Sequence, residues 1–168
     1  NFVIQKLSDD KNTATDNLVI DGAGFITMPK QPAFHAVNNA DQNNLALSTD
    51  STVIFGAERF DLGSNFASNT FTAPVTGKYH VSFKTRLSNV DTSATFYQVV
   101  LVTSNISYEI AVLDPNFSAD LTLFSINSSL LIDMDASDTA SVTINQVGGT
   151  QQTDIENGKA HFTGFLVA

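Results

Sequence analysis

The chain alternates with a period of two residues in run after run, and no segment carries the period of an amphipathic helix. Tyr79, Val81 and Phe83 project to one side of an extended segment, and His80, Ser82 and Lys84 to the other. Ile106, Tyr108, Ile110 and Val112 alternate in the same way with Ser107, Glu109 and Ala111, as do Ala140, Val142 and Ile144 with Ser141, Thr143 and Asn145. Successive side chains of a strand point to opposite faces, so each run can bury one face and wet the other. Turn formers separate the runs: Asp21-Gly22, Thr76-Gly77, Asp114-Pro115-Asn116, Gly148-Gly149 and Asn157-Gly158. Many short strands with such punctuation predict an all-β fold, antiparallel sheets closed into a sandwich or barrel. One run departs from the rule. Tyr97, Val99 and Leu101 alternate with Phe96, Val100 and Val102, so both faces ask for cover: one from the sandwich, the other from a loop or a subunit.

Thirteen Phe without a single Trp point to a core of phenyl rings and aliphatics. A net charge of −9 argues against nucleic acid and anionic membrane surfaces, whose phosphates need Lys and Arg. The absence of Cys removes disulfides, thiolate catalysis and Cys-ligated zinc. Stability must then come from the core and from oligomerisation. The longest aliphatic run, Val99 to Val102, is far too short to cross a bilayer. The opening Asn and the lack of a signal-type segment lead us to expect a piece of a longer polypeptide.

Residues 1–28 read differently from the rest. A polar stretch over residues 8–17 precedes Leu18-Val19-Ile20 and the turn Asp21-Gly22-Ala23-Gly24. We expect a stem or connector over 1–28 and a compact domain over 29–168.

From Pro32 onward the chain resembles the globular head of the complement q subunit, a branch of the tumour-necrosis-factor-like jelly rolls. That family places an Asn or Asp six residues after a Phe and an aromatic five later, as Phe55, Asp61 and Phe66 do here. Its second half, Phe then Gly six residues on and alternating aromatics, is matched by Phe71, Gly77, Tyr79 and Phe83. Phe34 in Pro32-Ala33-Phe34 resembles the first strand of the family. Phe162, Gly164 and Phe165 resemble its closing strand, and Met134-Asp135-Ala136-Ser137-Asp138 resembles its Gly-Asp turn. Three departures stand out: the Phe66-to-Phe71 spacing is two residues short, Val81 replaces an aromatic, and Ser137 replaces the usual Gly. The resemblance implies a two-sheet jelly roll that forms homotrimers, with the first, central and last strands in the sheet that faces the three-fold axis. Residues 18–29, running into Gln31-Pro32-Ala33-Phe34, are similar to the lead-in of bacteriophage virion fibre proteins.

No nucleophile elbow, zinc-binding His-Glu pair or phosphate loop occurs, so no catalytic residue is named. His80 points away from the Tyr79/Phe83 face. It is a hydrogen-bonded surface or interface histidine or, triplicated by a three-fold axis, a nitrogen ligand for a metal. Asp133, Asp135 and Asp138 offer oxygens of the kind Ca²⁺ takes, or form the solvated face of a strand. No cofactor is required. Asn-X-Ser sequons at Asn105, Asn116 and Asn127 bear on the chain only if it is secreted by a eukaryote.

The sequence-based expectation is a homotrimeric virion fibre or appendage domain that attaches to the host by binding rather than catalysis. Its partners would be a host cell-surface protein or glycan and a larger fibre, with no nucleic acid and no membrane insertion. The recognition loops would be 38–44, 90–93, 114–119 and 150–157. The alternatives are a purely structural trimerisation module of a virion, and a secreted adhesin or pattern-recognition head.

Overall fold

The computed structural model describes residues 2–7 and 14–168 and contains no helix among them. Three strands, β1 (Phe2–Leu7), β2 (Ala14–Ile20) and β3 (Ile26–Thr27), form a small antiparallel sheet of their own. They fall in the segment expected to be a stem, and the polar residues 8–13 of that segment lie outside the described residues.

Two six-stranded antiparallel sheets make up the rest. One runs in the order β12 (Leu121–Met134), β9 (Gly77–Val90), β15 (His161–Leu166), β4 (Ala33–Val37), β6 (Ala57–Leu62), with β14 (Asp154–Ile155) also on β9. The other runs β11 (Ser107–Leu113), β10 (Phe96–Thr103), β13 (Thr139–Val147), β8 (Thr70–Thr72), β7 (Phe66–Ala67), with β5 (Ser51–Thr52) on β13. The chain leaves the first sheet after β9, forms the β10–β11 hairpin in the second, returns as β12, crosses again as β13 and comes back as β15. Those crossings make the structure a jelly-roll sandwich.

Aromatic rings from both sheets fill the space between them. Phe34 of β4 stacks on Phe66 and Phe71 of the opposite sheet at centroid distances of 5.1 and 4.6 Å and meets Phe162 edge-on at 5.0 Å. Phe55, from the β5–β6 connection, packs on Phe162 and Phe83, and Phe71 packs on Tyr79. Rings bring large apolar area and favour such offset and edge-on contacts. The alternation in β9 follows the sequence reading, with Tyr79, Val81 and Phe83 buried and His80, Ser82 and Lys84 not. In β13 Ala140, Val142 and Ile144 are buried and Ser141 and Asn145 are not, but Thr143, expected on the face of the latter two, is buried too.

One expectation needs correction. In β11, Val99 pairs with Ala111 and Val100 with Glu109, so Ile110 is the extra residue of a β-bulge. The phase flips there: Ala111 and Leu113 turn towards the core and Val112 becomes exposed, so Val112 does not share a face with Tyr108. In β10, Tyr97, Val99 and Leu101 are fully buried, and within a single chain Phe96, Val100 and Val102 are half-exposed on the outside of the sandwich.

Candidate functional site

The family-motif residues serve the scaffold. Phe34, Phe55, Phe66, Phe71, Tyr79, Phe83 and Phe162 are all buried. Asp61 shapes the short link from β6 to β7, its Oδ1 accepting the N–H of Asn65 at 3.0 Å and its Oδ2 that of Phe66 at 2.9 Å. The shortened Phe66–Phe71 segment closes by a two-residue turn, Ser68-Asn69, with φ of 49° and 67°. Positive φ at both centre residues is what a tight hairpin requires, and Asn69 adds a bond from the Phe55 N–H at 2.7 Å. Ser137 stands in the left-handed region with φ 78°, where the family has Gly. Gly77 and Gly164 mark close approaches; a Cβ on Gly77 would sit 2.5 Å from the Ala168 carbonyl oxygen. Phe165 is the exception among the motif residues. Phe162 and Gly164 face inwards, so strand alternation turns Phe165 out, where it is 47% exposed.

The four loops proposed from sequence converge at one end of the sandwich. Loops 38–44 and 150–157 are laced together: Gln42 and Ile155 exchange backbone bonds of 2.9 Å, Asp154 accepts the Asn44 N–H at 2.8 Å, and Asn38 donates to the Glu156 carbonyl at 2.8 Å. Asp91 joins loop 90–93 to this group through Ser93 and the Thr150 N–H. Asp120 ties the end of loop 114–119 to both, accepting from the Thr92 N–H at 2.9 Å, the Thr92 hydroxyl at 2.8 Å and the Gln152 amide at 2.8 Å. Below them the Tyr97 hydroxyl bonds to Thr153 Oγ1 at 2.7 Å, and burial raises its pKa. Burial alone would raise the Asp91 pKa too, but the donors from Thr150 and Ser93 outweigh it and hold it low. The Thr92 N–H, then the Gln152 amide, lower that of Asp120. Beside Asp120, Asn89, Leu121, Thr122 and Gln152 line a polar depression of about 210 Å³, and Phe117 is left 44% exposed.

The candidate metal residues are not brought together. Asp133 pairs with Lys78 at 2.7 Å. Asp138 accepts from the Ser104 hydroxyl and the Asp135 N–H, which lower its pKa. Asp135 takes a long bond from Thr76, and His80 lies on the outer face against Phe165, 5.2 Å between ring centroids. No group of three His, Asp or Glu suited to a metal ion occurs among the described residues.

That outer face is the second notable surface. The first, central and last strands of the head lie side by side in one sheet, and a row of side chains crosses it as Leu131, His80, Phe165, Ala33 and Leu62. Leu131 is 61% exposed and Leu62 45%. The next row, Ser129, Ser82, Thr163, His35 and Phe60, ends in another exposed ring. All three histidines of the chain are on this face, and His35 Nε2 lies 3.0 Å from His161 Nδ1. Sequence reasoning weighed His80 alone as a metal ligand; the His35–His161 contact depends on a strand register that no local pattern reports.

No family model matches the chain, and no curated protein matches it. Among solved structures, the globular domain of zebrafish complement 1qA protein superposes with a TM-score of 0.61, covering 82% of this chain and 98% of that one at 17% sequence identity. At that identity the likeness speaks for the fold. The described head is a complement-head-like jelly-roll sandwich.

Proposed function

We propose that this chain is a homotrimeric binding module of a virion fibre or appendage, which attaches to a host surface by recognition and performs no catalysis. The observation that carries the reading is the outer face of the β12–β9–β15–β4–β6 sheet. There Leu131, Phe165, Leu62 and Phe60 are all exposed on one face, and large apolar side chains gathered on one face mark a protein interface. Three copies packed on this face would bury it. Residues 1–28 serve as the stem, and their exposed Phe2, Ile4, Phe25, Ile26 and Met28 would be covered by the same residues of neighbouring chains. The loop cluster lies at the far end of the head. β9 starts beside the stem-side Leu166 and Ala168 and ends among the loops. Its 14 residues, at about 3.3 Å each, span roughly 45 Å. Three such clusters held on one rigid trimer would bind by avidity. The virion setting rests on the lead-in residues 18–29 and the lack of Cys.

Light scattering at micromolar concentration should give three times the chain mass, and Leu131→Asp with Phe165→Asp should give one. Purified trimer should adhere to host cells, and a loop-shuffled trimer of equal stability should not. A second reading, a structural module that touches no receptor, is favoured by the loop carboxylates Asp91 and Asp120, whose oxygens are engaged internally. Trimer that adheres to no host surface would decide for it.

A further inference from the structure

The outer sheet face holds a depression of about 260 Å³ lined by His35, Ser82, Lys84, His161 and Thr163. Strand register assembles it: Lys84 is opposite His161, Ser82 opposite Thr163, and Thr163 opposite His35. Directly paired residues have their Cβ atoms about 4.5–5.5 Å apart, so the five side chains form one continuous patch. Each carries a hydrogen-bond donor, an ammonium, two hydroxyls and two imidazoles, and the Ser82 hydroxyl makes only a long 3.4 Å bond to the Ser128 carbonyl, which an anion would replace. The imidazoles share one bond of 3.0 Å between them. No other hydrogen bond engages their rings among the described residues.

The carboxylates nearest the patch are paired elsewhere or lie one step removed. Lys78 and Arg86, the other cations of β9, are paired with Asp133 and Glu156, whereas Lys84 has no carboxylate within 4.0 Å among the described residues. From β12 the neighbours are Asn127 and Ser129. From β6 come Phe60, opposite His35, and Arg59, whose charge acts on His35. Glu58 lies one step away, opposite Ala36, and Asp61 is committed to the Asn65 and Phe66 N–H groups. A divalent cation would suit two imidazoles, but Lys84 and Arg59 repel it and no oxygen anion completes its shell. An anion meets the donors of Lys84, His35, His161, Ser82 and Thr163.

We propose that this depression binds a compact oxyanion (sulfate, phosphate or a carboxylate) through Lys84, His35, His161, Ser82 and Thr163. The inference deepens the trimer reading and in part rests on it. Assembly on this face would bring three copies each of Lys84, His35 and His161 together, and a bound anion offsets their repulsion. The pocket itself belongs to a single chain. His35 titrates low because of burial, His161 and Arg59; an anion reverses that field, so binding and imidazole protonation reinforce one another.

The test follows the histidine ring protons by NMR in the intact protein, at pH 6 and pH 8, during titration with sodium sulfate, phosphate or acetate against sodium chloride at equal ionic strength. Saturable shifts at low millimolar anion are expected, with at least tenfold tighter binding at pH 6. Lys84→Gln, a surface change compatible with folding, should weaken binding at least tenfold. A sulfated disaccharide separates the sources: it competes if the pocket is open to acidic glycans, and is excluded if assembly encloses a free ion. No saturable response to any of the three anions, or a response identical in Lys84→Gln, would overturn the proposal. Light scattering on the same samples keeps the two readings apart. Monomer that binds anion retains the pocket and removes the trimer, while trimer that ignores anions removes the pocket alone.

Discussion

Phe34 and Gly164 face each other across β4 and β15, and the phenyl ring of one occupies the room that the other leaves by lacking a side chain. A Cβ on Gly164 would lie 2.6 Å from Phe34 Cε1 and 3.3 Å from Val81 Cγ1. The ring is held by its stacking on Phe66 and Phe71 and cannot retreat. Gly164→Ala should therefore destabilise the head by about 1–3 kcal/mol, the usual range for overpacking a core. Urea unfolding would show this as a lower midpoint at unchanged slope.

Ser137 carries a strain that Gly would relieve. Its φ of 78° costs an L-residue about 1–2 kcal/mol, and its side chain is exposed. Ser137→Gly should raise stability by about 1 kcal/mol, less whatever Gly loses by loosening the unfolded chain. Loss of stability would mean that the Ser hydroxyl makes a contact worth more than the strain.

Phe83 and Phe165 are both aromatic residues of the family pattern, yet they should respond in opposite ways. Phe83→Ala empties a buried site and should cost ~3–5 kcal/mol. Phe165→Ala removes an exposed ring from the outer sheet face. If the proposed trimer packs on this face, its effect should appear as dissociation on dilution, measured by sedimentation, with the head still folded.

Acid should weaken the fold through His35. Its folded-state pKa is depressed by burial, His161 and Arg59, so the unfolded chain binds more protons as pH drops below about 6.5. The stabilisation is fully present above that value and is lost as pH falls through the lower folded pKa. In chloride buffer, His35→Gln should flatten the melting temperature between pH 7 and pH 5 relative to wild type. An equally steep profile would place the titrating group elsewhere.

The strands that alternate cleanly were legible from sequence because burial on one face leaves a local trace. The run Tyr79 to Phe83 is of this kind. β11 was misphased because a bulge at Ile110 changes which residues pair, and nothing in an apolar residue announces that it will go unpaired. The loop cluster was half legible. Polar composition marked the four loops, but their meeting depends on Asp91 and Asp120 reaching across folds of the chain far apart in sequence. The outward turn of Phe165 was not legible, because the resemblance marks it only as part of the closing strand; the small Gly164 before it takes the inward position. The His35–His161 pair is 126 residues apart in sequence, beyond any periodicity.

The position of β15 sets an order of events for the molecule's making. This strand, the last of the head, lies between β9 and β4 and hydrogen-bonds to both. Until a ribosome has delivered His161 to Leu166, β4 and β9 have no neighbour in common, and the Phe34 ring lacks its contact with Phe162. Contacts so distant in sequence are slow to form. A nascent chain carrying everything up to β13 would display two unfinished strand edges, an invitation to pair with other copies. Removal of the six residues of β15 would thus be felt at the centre of the sheet, as failure of the whole head to close.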